Sequence, residues 1–202
     1  MPDKFQNKYR TTSIRLQNWD YGWSAAYFVT ICTQNRVYYF GNIEETVEGH
    51  PRKIMKLTPI GAIADVLWHE IKNHANHVEL DAFIVMPNHI HGIIIINDDN
   101  GRYAETGHTL SLQTPPSSTE QQNALQKTIG QNRFQNVGKN TLSSIVGSYK
   151  SAVTKHANRL GLNFAWQPNY YEHIIRDEQA YKNISDYIIN NPANWIIDKF
   201  YK

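Results

Sequence analysis

The sequence predicts an α+β protein built on a ferredoxin-like antiparallel sheet with helices packed on one face. Stretches of β-branched and aromatic residues alternate with stretches that repeat apolar residues at helical spacing. They follow the order strand, helix, strand, strand, helix, strand, helix, and no segment repeats another. A split βαβ order of this kind is typical of a ferredoxin-like sheet.

The first third of this pattern contains a strand and a helix. Residues 24–40 are rich in β-branched and aromatic types and predict a strand, a turn at Gln34 and Asn35, and a second strand or extension. Residues 41–57 look like a polar loop. A helix follows, with Thr58 as its N-cap and Pro59 at its first position.

Two strands occupy the middle of the chain and are joined at Pro87 and Asn88. Their nearly continuous hydrophobicity predicts a central place in the sheet. Residues 98–140 are rich in Asn, Gln, Ser, Thr, Gly and Pro without a sustained period. They predict a flexible insertion within a single domain that spans residues 1–202.

The last third begins with an amphipathic helix over residues 141–161, which Gly161 ends. Residues 164–176 predict another strand. The final helix starts at the N-cap Asp177 and stops before Pro192.

Composition limits the classes of protein that are possible. The chain has 202 residues, of which 41% are hydrophobic and 19% charged, as in an ordinary globular domain. No apolar run approaches the ~20 residues of a membrane span, and the polar start lacks the apolar core of a secretory signal. Cys32 is the single cysteine, which fits a reducing cytosol. We therefore expect a cytoplasmic protein with no membrane partner.

Charge is distributed unevenly although the net charge is only +2. No Asp or Glu occurs between Glu120 and Glu172, whereas the same stretch holds several Lys and Arg residues, including Lys150 and Lys155. Such a segment can be a footprint for phosphates, or equally a solvated loop followed by one basic helix face.

Two histidines open the second central strand, in the sequence "MPNHIHGIIII". Residues two apart in a strand point to the same face, so His89 and His91 lie side by side. Two imidazoles can share one divalent metal, which then needs at least one further ligand. The alternative is a pair of core histidines with satisfied hydrogen bonds near the end of a sheet.

The last helix offers candidates for the missing groups. Asn183, Tyr187 and Asn191 are spaced by four residues and form one stripe. Asn191 could present its amide oxygen to a metal, although the proline that follows it disfavours helical geometry there. Tyr187 and Asn191 could equally be a residue at the edge of the core and an ordinary helix terminus.

If these groups converge, they define a phosphoryl-transfer site. A metal can polarise a phosphate oxygen, and a tyrosine hydroxyl can attack phosphorus to form a covalent intermediate. The link retains the bond energy, so that rejoining needs no ATP.

Three segments resemble a known family: "FIVMPNHIHGIII", "LSSIVGSYKSAVTK" and "WQPNYYEHIIRDEQAYKNISDYIINNPANW". They are similar to HUH single-tyrosine transposases of the IS200-like superfamily, and more closely to the REP-associated tyrosine transposase branch. The resemblance covers residues 24–195 without the insertion. It implies a ferredoxin-like nuclease that acts on single-stranded DNA near hairpins. By position it implies Mg²⁺ or Mn²⁺ bound by His89, His91 and Asn191, with Tyr187 as the nucleophile. Insertion-sequence relatives typically carry Gln where Asn191 stands.

The resemblance also suggests residues that contact DNA. Lys150 lies in the helix that the family places near the DNA, and we expect it to contact phosphate. Weaker candidates for DNA contact are Lys155, Arg176, Arg10 and Arg15. Trp166, Tyr170 and Tyr171 could stack on unpaired bases or simply pack against helices. Members of the family act as dimers or as monomers, so either state is open.

Three functions remain open at this point. The first is metal-dependent cleavage and rejoining of single-stranded DNA through Tyr187. The second is a domesticated protein that binds hairpin DNA without cleaving it, and the third is a phosphodiesterase that uses water. The intact His-x-His and Tyr187 favour the first, because a protein that only binds DNA has no physical need for both.

Overall fold

The structure, a computed structural model, describes residues 4–5, 8–9, 24–46, 52–97 and 141–201. The predicted insertion at 98–140 and the predicted DNA contacts of Arg10 and Arg15 lie outside the described residues. No helix within the described ranges combines the length and apolar character that a membrane crossing requires.

The described chain contains eight strands and four α-helices, together with two short 3₁₀ helices. The strands are β1 (Lys4–Phe5), β2 (Lys8–Tyr9), β3 (Ala25–Cys32), β4 (Gly41–Glu45), β5 (Lys53–Leu57), β6 (Val78–Met86), β7 (His89–Ile96) and β8 (Tyr171–Ile175). The helices are α1 (Pro59–His69), α2 (Ile71–His74), α3 (Leu142–Arg159) and α4 (Glu178–Asn190), and the 3₁₀ helices are Gln34–Arg36 and Trp195–Ile197.

Four strands form the central sheet in the order β6-β7-β3-β8, and every neighbouring pair is antiparallel. The crossover from β3 to β6 contains α1, and the crossover from β7 to β8 contains α3. This is the ferredoxin-like order, so the predicted α+β class and antiparallel sheet are confirmed. Two separate two-stranded sheets, β1-β2 and β4-β5, accompany it.

One face of the central sheet is covered by α1 and α3. Side chains that point to this face, such as Val29 and Ile94, form one buried cluster with apolar residues of both helices. Trp68 of α1 meets Tyr149 of α3 edge to face at 5.4 Å, and the Tyr149 hydroxyl donates a hydrogen bond to the Ala64 carbonyl at 2.8 Å. This face is the main core of the domain.

The opposite face is covered by α4, whereas the sequence predicted helices on a single face. Ile188 of α4 is buried with Ala26, Ile93 and Ile175 of the sheet in a second cluster. Because α1 and α3 fill the first face, the apolar side chains on the second face are buried by α4. This position of α4 creates the candidate site described below.

Three local predictions differ from the structure. Within the predicted polar loop 41–57, residues 41–45 and 53–57 pair as the antiparallel strands β4 and β5. After the turn, where Asn35 and Arg36 adopt positive φ values of 53° and 55°, residues 37–40 form no strand, and only the predicted extension is found, at Val37. The strand predicted over 164–176 is limited to β8, and Trp166 forms only an isolated bridge with Thr33.

Gly92 lets β7 approach α1 closely, and we expect Gly92→Ala to destabilise the protein by about 3 kcal/mol. A Cβ atom at residue 92 would lie 2.3 Å from Cζ2 of Trp68, a fully buried ring that stacks on Phe83. Urea unfolding measures the change. Gly147→Ala is the matched control, because a Cβ atom there meets no atom within 4 Å on an exposed helix face. We expect the control to stabilise the protein by about 0.5–1 kcal/mol.

Candidate functional site

The two histidines of β7 lie side by side on the face covered by α4. Alternation along the strand points His89 and His91 to this face, while Ile90 joins the core cluster under α1 and α3. The imidazole centroids are 4.4 Å apart, and both side chains are almost completely buried, with 0% and 1% exposure. The sequence-based prediction that the pair shares a face agrees with this geometry.

Hydrogen bonds on Nδ1 set the orientation of both rings. His89 Nδ1 donates to Asn88 Oδ1 at 2.9 Å, and Asn88 is itself held by donation from its Nδ2 to the Phe200 carbonyl at 2.8 Å. His91 Nδ1 and Thr30 Oγ1 share a hydrogen bond of 2.9 Å. Since Nδ1 of His89 carries the proton, its Nε2 retains a lone pair that can bind a metal.

The last helix brings Tyr187 to His91. The Tyr187 hydroxyl lies 3.2 Å from His91 Nε2, and the tyrosine is 40% exposed. Phe28 of β3 packs against both, with ring centroids 6.3 Å from Tyr187 and 5.2 Å from His91. The side chain of Tyr187 is therefore partly exposed to solvent and packs against His91.

Asn191 directly follows α4 and is almost fully buried at 1% exposure. The proline after it was expected to disfavour helical geometry, yet Asn191 has φ −56° and ψ −42°. Its backbone N–H bonds to the Ile188 carbonyl, which keeps this last residue helical. Asn191 thus stays on the same stripe as Tyr187 and points into the site.

Asp198 completes the arrangement and was not foreseen from the sequence. It accepts hydrogen bonds at 3.1 Å from the Tyr187 hydroxyl and from Asn191 Nδ2. The Phe200 backbone N–H donates to its other oxygen at 2.7 Å and fixes the carboxylate. No local pattern in the last ten residues indicates this role, because the contact depends on the turn at Trp195–Ile197.

The side-chain atoms of the site that lack a hydrogen-bond partner have the chemistry of ligands for a divalent cation. Among the described residues, few buried side-chain polar atoms lack a hydrogen-bond partner, and two of these are His89 Nε2 and Asn191 Oδ1. An unpaired buried polar atom is costly, and a metal ion would satisfy both. No group of three His, Cys, Asp or Glu residues in the described ranges could hold a metal. The Asn191 amide is the third candidate ligand beside the two histidines.

Both imidazoles are held neutral. Burial, reinforced by the neighbouring His91, lowers the pKa of His89 well below its usual value. Burial also lowers the pKa of His91 to about 3, although the Asp198 carboxylate opposes the shift. A neutral imidazole binds a metal without first losing a proton.

These shifts predict acid sensitivity of the metal-free protein. Because the histidine pKa values are lower in the folded chain than near 6.5 in the unfolded chain, the unfolded state binds more protons. Stability therefore falls as the pH decreases below about 6.5, by about 2 kcal/mol at pH 5 for His91, and His89 adds to the loss in the same direction.

Urea unfolding in EDTA at pH 7 and pH 5 measures this effect. His91→Gln should lose less stability than the wild type between the two pH values. The control His156→Gln, at an exposed histidine, should lose as much as the wild type. Equal stability of the wild type at the two pH values would contradict the predicted burial of neutral histidines.

Tyr187 is protonated at neutral pH. Burial, together with the charge of Asp198 and the hydrogen bond to it, raises the pKa of the phenol to about 12. The same carboxylate is the nearest proton acceptor, so Asp198 both holds the hydroxyl in place and can receive its proton.

Two cations border the site. Arg36 donates from Nη1 to the Lys199 carbonyl at 2.9 Å, and its guanidinium carbon lies 4.8 Å from the centroid of the Phe200 ring. The Lys199 ammonium lies 5.0 Å from the same centroid. Phe200 packs on His89 with centroids 4.3 Å apart, so both positive charges stand beside the histidines and favour an anionic ligand.

Lys150 of α3 is engaged with the protein. Its ammonium donates to the carbonyls of Gln167 and Asn169 at 2.8 and 3.0 Å and lies 5.9 Å from the Trp166 centroid. The structure thus gives Lys150 a role in holding the loop before β8. The predicted contact with phosphate would have to use its remaining donor capacity.

The other described candidates for DNA contact lie on the surface. Lys155 lines a groove along α3 with Lys150, Thr154 and Arg159, on the side of the sheet away from Tyr187. Arg176 is exposed directly after β8, and it forms no ion pair with another described residue. The structure brings neither residue to the histidines.

The fold and site define an α+β protein with a His-x-His pair on a central strand and a tyrosine on the helix that follows the sheet. No family model matches the chain. A protein of Haemophilus influenzae (strain ATCC 51907 / DSM 11121 / KW20 / Rd), described as "Uncharacterized protein", is 36% identical over 191 residues, which cover 94% of this chain and 92% of that protein. The chain belongs to the same family as this Haemophilus influenzae protein.

Among the solved structures that are similar at a lower level, one is described as "Structure of the REP associates tyrosine transposase bound to a REP hairpin". The similarity covers 93% of this chain and 73% of that chain, with 19% identity and a TM-score of 0.49.

Proposed function

We propose that this protein is a metal-dependent endonuclease and strand transferase for single-stranded DNA, which acts near hairpins through a covalent 5′-phosphotyrosine at Tyr187. The observation that carries the proposal is the 3.2 Å between the Tyr187 hydroxyl and His91 Nε2, beside the unpaired Nε2 of His89 and Oδ1 of Asn191. The motif resemblance to REP-associated tyrosine transposases supports the choice of DNA as substrate.

His89, His91 and Asn191 would hold Mg²⁺ or Mn²⁺. When bound, the cation supplies positive charge that polarises a phosphate oxygen of the substrate. The hydrogen bonds of Asn88 and Thr30 keep the two imidazoles in a fixed orientation, which is what a defined ligand geometry requires.

The chemical step belongs to Tyr187 and Asp198. The tyrosine oxygen attacks phosphorus, a bond from phosphorus to the tyrosine oxygen forms, and the bond to the 3′ oxygen breaks. Asp198 Oδ2, 3.1 Å from the hydroxyl, receives the phenolic proton, and the leaving oxygen takes up a proton to become a free 3′-hydroxyl. The reverse reaction rejoins a strand without ATP because no bond energy has been lost.

Cations around the site would contact the DNA backbone. Arg36 and Lys199 stand beside the histidines, while Lys155 and Arg176 are exposed further away. Lys150 supports the loop before β8 and would add a contact with phosphate. Arg10 and Arg15 remain predicted DNA contacts, and a monomer and a homodimer both remain open.

The test uses hairpin DNA that carries a single-stranded flank, labelled at its 3′ end, with Mn²⁺ and the full chain. We expect a labelled protein band on a denaturing gel that EDTA prevents, and an unlinked fragment with a 3′-hydroxyl when the label is moved to the 5′ end. Binding without cleavage would favour the hairpin-binding alternative. Cleavage without a labelled protein band would favour attack by water.

A further inference from the structure

Tyr171 is an exposed aromatic side chain at the edge of the sheet, in line with the candidate site. It begins β8, an edge strand of the central sheet, and 46% of its surface is exposed. Tyr171 is paired with Thr30, which is paired on its other side with His91. Directly opposed residues share a face of the sheet, so Tyr171, Thr30 and His91 form one row that leads from the edge to the histidines.

A shared neighbour links Tyr171 to the predicted nucleophile. The ring of Phe28 meets Tyr171 edge to face at 6.3 Å and meets Tyr187 edge to face at the same centroid distance. Both tyrosines therefore contact one phenyl ring, which places Tyr171 in the neighbourhood of the predicted nucleophile.

A positive charge accompanies the exposed ring. The Lys199 ammonium lies 5.9 Å from the Tyr171 centroid, and Lys199 is itself exposed. Its backbone is anchored by the hydrogen bond from Arg36. An aromatic surface beside an ammonium group matches the two parts of a nucleotide, a base that stacks and a phosphate that pairs with a cation.

The structure distinguishes Tyr171 from the two nearby aromatics. Trp166 donates its indole N–H to the Lys150 carbonyl and packs on Phe164 at 4.8 Å. Tyr170 is only partly exposed and packs against the main core. Of these three residues, Tyr171 has the largest surface available to a ligand.

We propose that Tyr171 and Lys199 form a subsite for an unpaired nucleotide next to the phosphate that Tyr187 attacks. The base stacks on the Tyr171 ring and Lys199 contacts the adjoining phosphate. The identity of the ligand as single-stranded DNA rests on the proposed function. A base inside a duplex has both faces covered by its neighbours, so the subsite selects a single strand beside the hairpin.

Kinetics of adduct formation test the subsite. We expect Tyr171→Ala to raise KM for the hairpin substrate about 10-fold with little change in kcat, whereas Tyr171→Phe, which keeps the ring, stays near the wild type. An abasic nucleotide is then placed at each position flanking the cleaved bond. At one position it should raise KM of the wild type about 10-fold and have no further effect in Tyr171→Ala.

A binding assay separates failure of the subsite from failure of the proposed function. Tyr187→Phe protein is titrated with DNA that carries the fluorescent base 2-aminopurine beside the hairpin, and Tyr171→Ala is added in that background. Weaker DNA binding by the double variant, with loss of the quenching of 2-aminopurine fluorescence, supports the subsite even if the wild type never forms an adduct. Lys199→Ala should lower the salt dependence of log Kd by about 0.7, as expected for one phosphate of a single strand.

Two results would overturn the subsite. One is an adduct that forms with the same KM in Tyr171→Ala and wild type, which leaves the proposed function intact. The other is an increase in KM on abasic substitution that is equal in the wild type and in Tyr171→Ala at every position. That result would show that no base contacts the Tyr171 ring.

Discussion

Tyr187→Phe should abolish the covalent DNA adduct and lower cleavage of single-stranded hairpin DNA at least about 1,000-fold. The phenylalanine ring retains the packing on Phe28 and His91, and only the hydroxyl is lost. Because that hydroxyl belongs to a residue that is 40% exposed, the free energy of unfolding should change by no more than about 1 kcal/mol. Denaturing gels with labelled DNA, together with urea unfolding, measure both effects.

Tyr171→Phe is the matched control for this prediction. It removes the hydroxyl of another exposed tyrosine that also packs edge to face on Phe28. The control should form the adduct at a rate close to that of the wild type. Persistence of cleavage in Tyr187→Phe, with products that carry a free 5′-phosphate, would show that water attacks phosphorus.

The second large effect concerns the metal. His89→Leu should lower Mn²⁺ affinity at least about 100-fold and abolish adduct formation at micromolar Mn²⁺. Leucine fills much of the space of the ring but removes the unpaired Nε2 that points into the site. The substitution also removes the hydrogen bond from His89 to Asn88. Since Asn88 Nδ2 stays bonded to the Phe200 carbonyl, the free energy of unfolding should fall by only about 1 kcal/mol. Titration of free Mn²⁺ by electron paramagnetic resonance measures the affinity.

His156→Leu serves as its control, because His156 is an exposed histidine on α3 away from the site. Mn²⁺ affinity should be unchanged in this variant. If His89→Leu bound Mn²⁺ as tightly as the wild type, the paired histidines would be core residues and the ion would bind elsewhere.

Features that depend on neighbours in the chain could be predicted from the sequence. Thr58 and Asp177 cap α1 and α4 as predicted, because the side chain of an N-cap accepts a hydrogen bond from a backbone N–H three residues later. The shared face of His89 and His91 follows from the period of a strand. The stripe of Tyr187 and Asn191 follows from the period of a helix.

The β4-β5 strand pair illustrates what sequence periodicity misses. Glu44 and Glu45 are exposed, and Lys56 pairs with Glu44 at 3.1 Å on the surface. With little apolar alternation, these strands are specified mainly by pairing with each other, and a polar loop has the same composition.

Contacts made by backbone atoms and by distant turns also could not be predicted. Lys150 donates hydrogen bonds to the backbone carbonyls of Gln167 and Asn169. Because every residue has a backbone carbonyl, the sequence does not indicate which ones accept. Asp198 reaches Tyr187 only because the 3₁₀ turn at Trp195–Ile197 reverses the chain after Pro192. The position of α4 on the second face of the sheet depends on which face the other helices fill.

The most direct test of the central claim locates the covalent bond. The adduct formed with Mn²⁺ and hairpin DNA is digested with nuclease and trypsin, and the modified peptide is sequenced by mass spectrometry. The geometry predicts a nucleotide joined through its 5′-phosphate to Tyr187. A nucleotide on any other side chain, or complete cleavage of the DNA without a modified peptide, would contradict the proposed role of Tyr187.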